Sequence, residues 1–298
     1  MPQLRGLLER TPVPALFGLS GFTQYYGAAL AVQLFARIPA LDVAWWRIAF
    51  SAVVLLAWQR PWRIRWRRRD LLAAMGFGVV LAAMNLCFYL AIAHLPLGNA
   101  VAMEFLGPVA VAAITGRSWR DRIGIVLALA GVVALAGVSA SGGLSGGVVI
   151  GLVAIGGSAV CWAGYILIGR RVAARQDGLA GLTVGMTAGA IVFSPLAIGS
   201  MGAVATHPAD LAALLGIAVL SSVIPYGIEQ LVLRRVSAAR FAILLALLPV
   251  AALVMGLLVL HQIPTWLELA GVAAVCAAIA VSAPRDDPQA TAAELTGG

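Results

Sequence analysis

Ten apolar runs of about 17 to 25 residues, separated by charged or Gly/Pro/Ser-rich breaks, dominate this chain, and a helix of that length spans the hydrocarbon core of a bilayer. They cover 13–36, 41–58, 71–93, 96–115, 122–140, 147–169, 179–200, 211–233, 240–260 and 264–283. In lipid a spanning segment must satisfy its own backbone polar groups, so the expected fold class is all-α, a membrane protein of ten transmembrane helices. Composition agrees: 62% of the 298 residues are hydrophobic and 11% charged, against roughly a quarter charged in a soluble domain. The first run follows Arg5 and Arg10 but is too long for a signal-peptide core, so it is read as a retained helix.

The basic residues exclude several chemistries. All 20 are arginine, and without lysine there is neither a phosphate-binding loop of the Walker type nor a Schiff-base amine. Cys87, Cys161 and Cys276 stand alone, as do His94, His207 and His261, so no disulfide framework, metal site, cofactor or enzyme active centre is expected. The net charge of +8 does not mark a nucleic-acid binder, because topology already explains where the arginines lie. Arg5, Arg10, the six between Arg60 and Arg69, Arg117, Arg120, Arg122, Arg170, Arg171, Arg175, Arg234, Arg235, Arg240 and Arg285 all fall on one side of a ten-span layout. Only Arg37 lies in an opposite loop and only Arg47 within a span, so the positive-inside rule places both termini in the cytoplasm.

The chain also resembles itself. A shift of 141 residues lays Pro108-Val109-Ala110 on Pro249-Val250-Ala251, and Leu129-Ala130-Gly131-Val132 recurs as Leu269-Ala270-Gly271-Val272. Residues 1–140 and 147–284 are therefore read as two five-helix repeats, joined flexibly through 141–146 and followed by a disordered cytoplasmic tail, 285–298. Five being odd, the second repeat runs inverted through the bilayer, an arrangement common in secondary transporters.

Polar residues inside apolar spans are costly and point to function. Glu104 lies about eight residues, roughly 12 Å, below the outer end of its helix. Pro108 has no N–H for the Glu104 carbonyl, so a backbone acceptor and a carboxylate are freed together, which suits an ammonium group or a proton. Leu245 and Pro249 repeat the freed carbonyl without the acid. Arg47, about six residues into its span, needs an anion: Glu104, a substrate carboxylate, or headgroups reached by snorkelling. Glu229 is close to Arg234 and is either interfacial or active. Ser20 with Gln24, Asn85 with Tyr89, Trp162 with Tyr165, and Tyr226 with Glu229 share helix faces. Trp162 and Tyr165 are the aromatics expected at a cavity. Trp45, Trp46, Trp62 and Trp66 read as an interfacial belt, and Gly151, Gly156, Gly157, Gly185 and Gly189 as sites of close helix packing.

At these residues the chain resembles the EamA-type branch of the drug/metabolite transporter superfamily, and within it the bacterial exporters of threonine and homoserine. The likeness runs from Gly27 to Ala283. It is densest at Pro96-Leu97-Gly98, Ala100-Val101-Ala102, Glu104-Phe105, Gly107-Pro108, Cys161-Trp162-Ala163, Tyr165-Ile166-Leu167 and Pro225-Tyr226 with Glu229. It departs near the ninth span, where Leu248 precedes Pro249 and His261-Gln262 stand in place of a carboxylate. The resemblance implies a small-molecule substrate, exported across the inner membrane by proton antiport and alternating access. The substrate class expected is small neutral amino acids or related metabolites, the alternative cationic or aromatic drugs. The candidate substrate- and proton-binding set is Glu104, Arg47, Gln24, Asn85, Tyr89, Trp162, Tyr165, Tyr226 and Glu229.

Overall fold

A computed structural model describes residues 11–115, 118–173, 178–233, 235, 236, 241 and 243–282. Arg5, Arg10, Arg117, Arg175, Arg234, Arg240, Arg285 and the expected tail lie outside these residues, as do the side chains of Arg170 and Arg171. All regular structure among the described residues is helical. In chain order come α1 (Val13–Leu34), α2 (Ala40–Gln59), α3 (Arg68–Ile92), α4 (Leu97–Glu104), α5 (Leu106–Thr115), α6 (Trp119–Ala140), α7 (Gly146–Ala173), α8 (Gly178–Val192), α9 (Ile198–Ala205), α10 (Pro208–Ala218), α11 (Ile224–Leu233), α12 (Leu247–Leu260) and α13 (Trp266–Ser282).

Among the described residues, five helices are long and apolar enough to cross a membrane: Ala40–Gln59, Arg68–Ile92, Trp119–Ala140, Gly146–Ile168 and Pro208–Glu229. A sixth is added if Leu179–Val192 and Ser194–Gly202, bent by 55°, form one span. Their outward faces are apolar: Val126, Val133, Val153, Val160 and Ile191 are all well exposed. A molecule that shows valine and isoleucine to its surroundings while burying Glu104 and Arg47 is arranged for lipid, and the protein is a multi-pass membrane protein.

Prolines set where the spans break. Pro12, Pro39 and Pro96 stand just ahead of α1, α2 and α4, where a missing N–H costs nothing. Pro108 sits within a span, and the helix is interrupted at Phe105 between α4 and α5. Pro225 likewise follows a π-helical turn, Val219–Val223, between α10 and α11. Upstream of Pro249 a turn precedes α12, and there the structure corrects the expectation of a free carbonyl: Leu245 O accepts from Leu248 N at 3.0 Å.

Packing is closest where side chains vanish. The most extensive contacts are α6 with α13, α3 with α7 and α8, α1 with α12 and α11, α2 with α8 and α10, α4 with α12, and α5 with α7. Gly78 and Gly185 meet backbone to backbone, such that a Cβ on Gly78 would overlap the Cα and carbonyl of Gly185. Gly131 and Gly271, the glycines of the recurring tetrapeptide, face each other across α6 and α13. A Cβ on Gly156 would have nothing within 4 Å and one on Gly157 would meet only Cys87 Sγ at 3.5 Å, so these two do not serve close packing as expected, whereas Gly151 and Gly189 do. Trp45 also departs from the belt: it is buried, and its Nε1 donates to Ala190 O at 2.8 Å. Trp62 is exposed.

Candidate functional site

Glu104 ends α4 at the Phe105 break and is 6% exposed. Its Oε1 is in hydrogen-bond contact with Ser158 Oγ of α7. That same hydroxyl also donates to Met84 O of α3 at 3.0 Å. A serine has one proton to give. When it goes to Glu104, the carboxylate is satisfied as an anion. When it goes to Met84, the bond to Glu104 is made by a carboxyl proton instead. Rotation of one hydroxyl therefore serves both protonation states without moving a helix.

Arg47 of α2 is 5% exposed, which excludes snorkelling to headgroups, and no carboxylate among the described residues lies within 4.0 Å of it, which excludes an ion pair with Glu104 in this state. Its partners are neutral: Nε donates to Ser222 Oγ at 3.0 Å, Nη1 to Asn85 Oδ1 at 2.8 Å and Nη2 to Ser221 O at 3.0 Å. Asn85 is turned to this task because its Nδ2 donates to Leu81 O at 2.8 Å, leaving the carbonyl for Arg47. One turn on, the Tyr89 ring lies 5.2 Å from the guanidinium carbon, so the expected Asn85–Tyr89 face meets the arginine.

Between these groups is a cavity of about 50 Å³. Gln24, Tyr25 and Ala28 of α1, Arg47 of α2, Met84, Asn85 and Phe88 of α3, together with Glu104, Ser221 and Tyr226, line it. It has room for a few waters and no more. Gln24, Arg47, Asn85, Glu104 and Tyr226 are thus brought together as the sequence suggests. Trp162 and Tyr165 are not: Trp162 packs against Phe105 at 4.7 Å between ring centroids, and Tyr165 against Phe77 at 4.6 Å. Glu229 is half-buried and outside this cavity's lining.

Three further participants come from the structure. Tyr25 is adjacent to Gln24 in the chain, and Ser158 gives no signal in the sequence. Ser221 does give one: Pro225 has no N–H for the Ser221 carbonyl, by the same rule that marks Glu104, and Arg47 occupies that acceptor.

Comparison with known proteins agrees with this architecture. The EamA-like transporter family matches twice, over residues 16–142 and 149–283. The threonine/homoserine exporter RhtA of Salmonella typhimurium strain LT2 is 36% identical over 256 residues, 86% of this chain and 85% of that protein. RhtA of Escherichia coli K12 is 34% identical over 252 residues, 85% and 84% of the two chains. A solved crystal structure, 17% identical, superposes with a TM-score of 0.59 over 90% of this chain and 96% of that one, a likeness of fold. The two RhtA relatives are exporters and not enzymes. With the two family matches covering most of its length, and a cavity lined by Arg47 and Glu104 among its apolar helices, the chain belongs to the EamA-like transporter family.

Proposed function

We propose that this protein exports small neutral amino acids of the threonine/homoserine kind, or related metabolites, across the bacterial inner membrane in exchange for protons taken by Glu104. The observation that carries the reading is Glu104 itself: an acid on the wall of an internal cavity, at a proline-broken helix, with a serine that satisfies it both protonated and ionised. The likeness to threonine/homoserine exporters over most of the chain supplies the substrate class. The drug reading is less well supported, because Trp162 and Tyr165 are occupied with Phe105 and Phe77 rather than caging the cavity. Cells overproducing the protein are expected to tolerate higher threonine or homoserine and to release it faster. Unchanged release of every amino acid, with raised resistance to lipophilic cations, is the contrary result.

The cavity holds only a few waters, so a substrate enters when the helices around it part, and alternating access requires two related ways of parting. A ten-span, inverted-repeat layout provides them. Its support is in the packing: exchanging α1 for α7, α2 for α8, α3 for α10 and α11, α4 and α5 for α12, and α6 for α13 maps the set of closest helix pairs onto itself. The helix break near Phe105 and the turn before Pro249 then become equivalents, and Gly131 and Gly271 meet on the axis. Reporter fusions after Arg69 and Arg122 are expected to read as cytoplasmic, and fusions near Gly143 and His207 as external. A cytoplasmic reading at Gly143 contradicts both the ten spans and the inversion.

A further inference from the structure

Resting on the export reading, we propose that Arg47 is the receptor for the carboxylate of a zwitterionic substrate, held ready by the π-helical turn between α10 and α11. An arginine carries five N–H donors in a planar fork. Three of the five on Arg47 are used, all by uncharged acceptors, namely Ser222 Oγ, Asn85 Oδ1 and Ser221 O. These partners orient the guanidinium without cancelling its charge. A buried cation without a counter-ion is costly in a membrane protein, and a carboxylate arriving in the cavity relieves that cost through charge-assisted hydrogen bonds.

The segment that holds Arg47 is built for it. Ser221 O is the acceptor orphaned by Pro225, and the π-helical turn Val219–Val223 presents it sideways to α2. Gly27 of α1 packs so closely on this turn that a Cβ there would lie 2.9 Å from Ser221 Cβ. Ser51, one turn after Arg47 on α2, adds a bond to Ala218 O at 3.4 Å. Arg47 thus ties α2 to α10 and α11 through its own bonds. A substrate carboxylate that draws the guanidinium toward the cavity weakens that tie, which links occupancy to parting of the helices.

Arg47 and Glu104 line the same cavity without being paired to each other. Two opposite charges held apart in one small polar space match the two ends of an α-amino acid, carboxylate on Arg47 and ammonium on Glu104. The substrate class is therefore free amino acids, and amines lacking the acid are discriminated against.

The test uses the purified full chain in liposomes, with labelled threonine and two competitors: unlabelled threonine, and threoninol, in which the carboxylate is an alcohol. Wild type is expected to prefer threonine over threoninol roughly thirtyfold or more, the range for unpairing one partner of a buried charge pair. Arg47→Gln is expected to remove that preference, so that threonine and threoninol compete equally well. Arg47→Lys, which keeps the charge, retains a preference for the acid. Equal inhibition of wild type by threonine and threoninol overturns the assignment, and needs no variant to fold. Transport of threonine that ignores the carboxylate refutes the Arg47 site and leaves export standing. Absence of amino-acid transport, with thermal stabilisation of the purified protein by threonine but not threoninol that Arg47→Gln abolishes, refutes export and upholds the site.

Discussion

Glu104→Gln is expected to slow proton-driven transport roughly a hundredfold or more, the range for removing a positioned proton-transfer group, while the protein still inserts and folds. Glutamine has the same shape, and its amide can still bond Ser158 Oγ, whichever way that hydroxyl turns. What is lost is the ability to release a proton. Antiport needs proton and substrate to compete for a shared site, because only then does each one's binding oppose the other's. The variant is therefore expected to lose its response to an imposed pH gradient, and a wild-type rate with wild-type pH dependence would show the carboxyl to be structural.

Gly78→Val is expected to prevent accumulation of folded protein. A Cβ at Gly78 would overlap the backbone of Gly185, and the reverse substitution meets Gly78 Cα at 2.9 Å. Backbone cannot swing away as a side chain can, so α3 and α8 must separate along a contact that contributes much of the bundle. The cost is about 3 kcal/mol or more, at the upper end of overpacking penalties. Gly76→Val is the control, since nothing lies within 4 Å of a Cβ there. Detergent-solubilised yield and thermal stability separate the two. Equal yields would mean that the close approach of α3 and α8 is not needed for folding.

How much of this is legible in the sequence differs from residue to residue. Helical stretches follow from apolar run length, a local property, but their interruptions do not: 96–115 and 179–200 read as continuous spans, and the structure breaks them at Phe105 and Phe193. Glu104 stands out because a carboxylate deep in an apolar run has no cheap alternative to a function. Arg47 is legible as an anomaly but its partners are not: Asn85, Ser221 and Ser222 come from two other segments of the bundle, and only packing brings them to one guanidinium. Trp162 and Tyr165 show the reverse failure. Their depth is legible, but depth does not tell an aromatic that faces a cavity from one that stacks on Phe105 or Phe77. Ser221 is within reach of the proline rule, since Pro225 stands to it as Pro108 stands to Glu104.

Purified wild-type protein in liposomes, with an outward-directed or inward-directed pH gradient imposed and labelled threonine and homoserine followed across the bilayer, tests the proposed activity most directly. The expected result is amino-acid movement opposite to the proton gradient, reversing when the gradient is reversed and collapsing when a protonophore is added. Amino-acid flux that is indifferent to the gradient, or no flux of any neutral amino acid under either gradient, would contradict proton-coupled export.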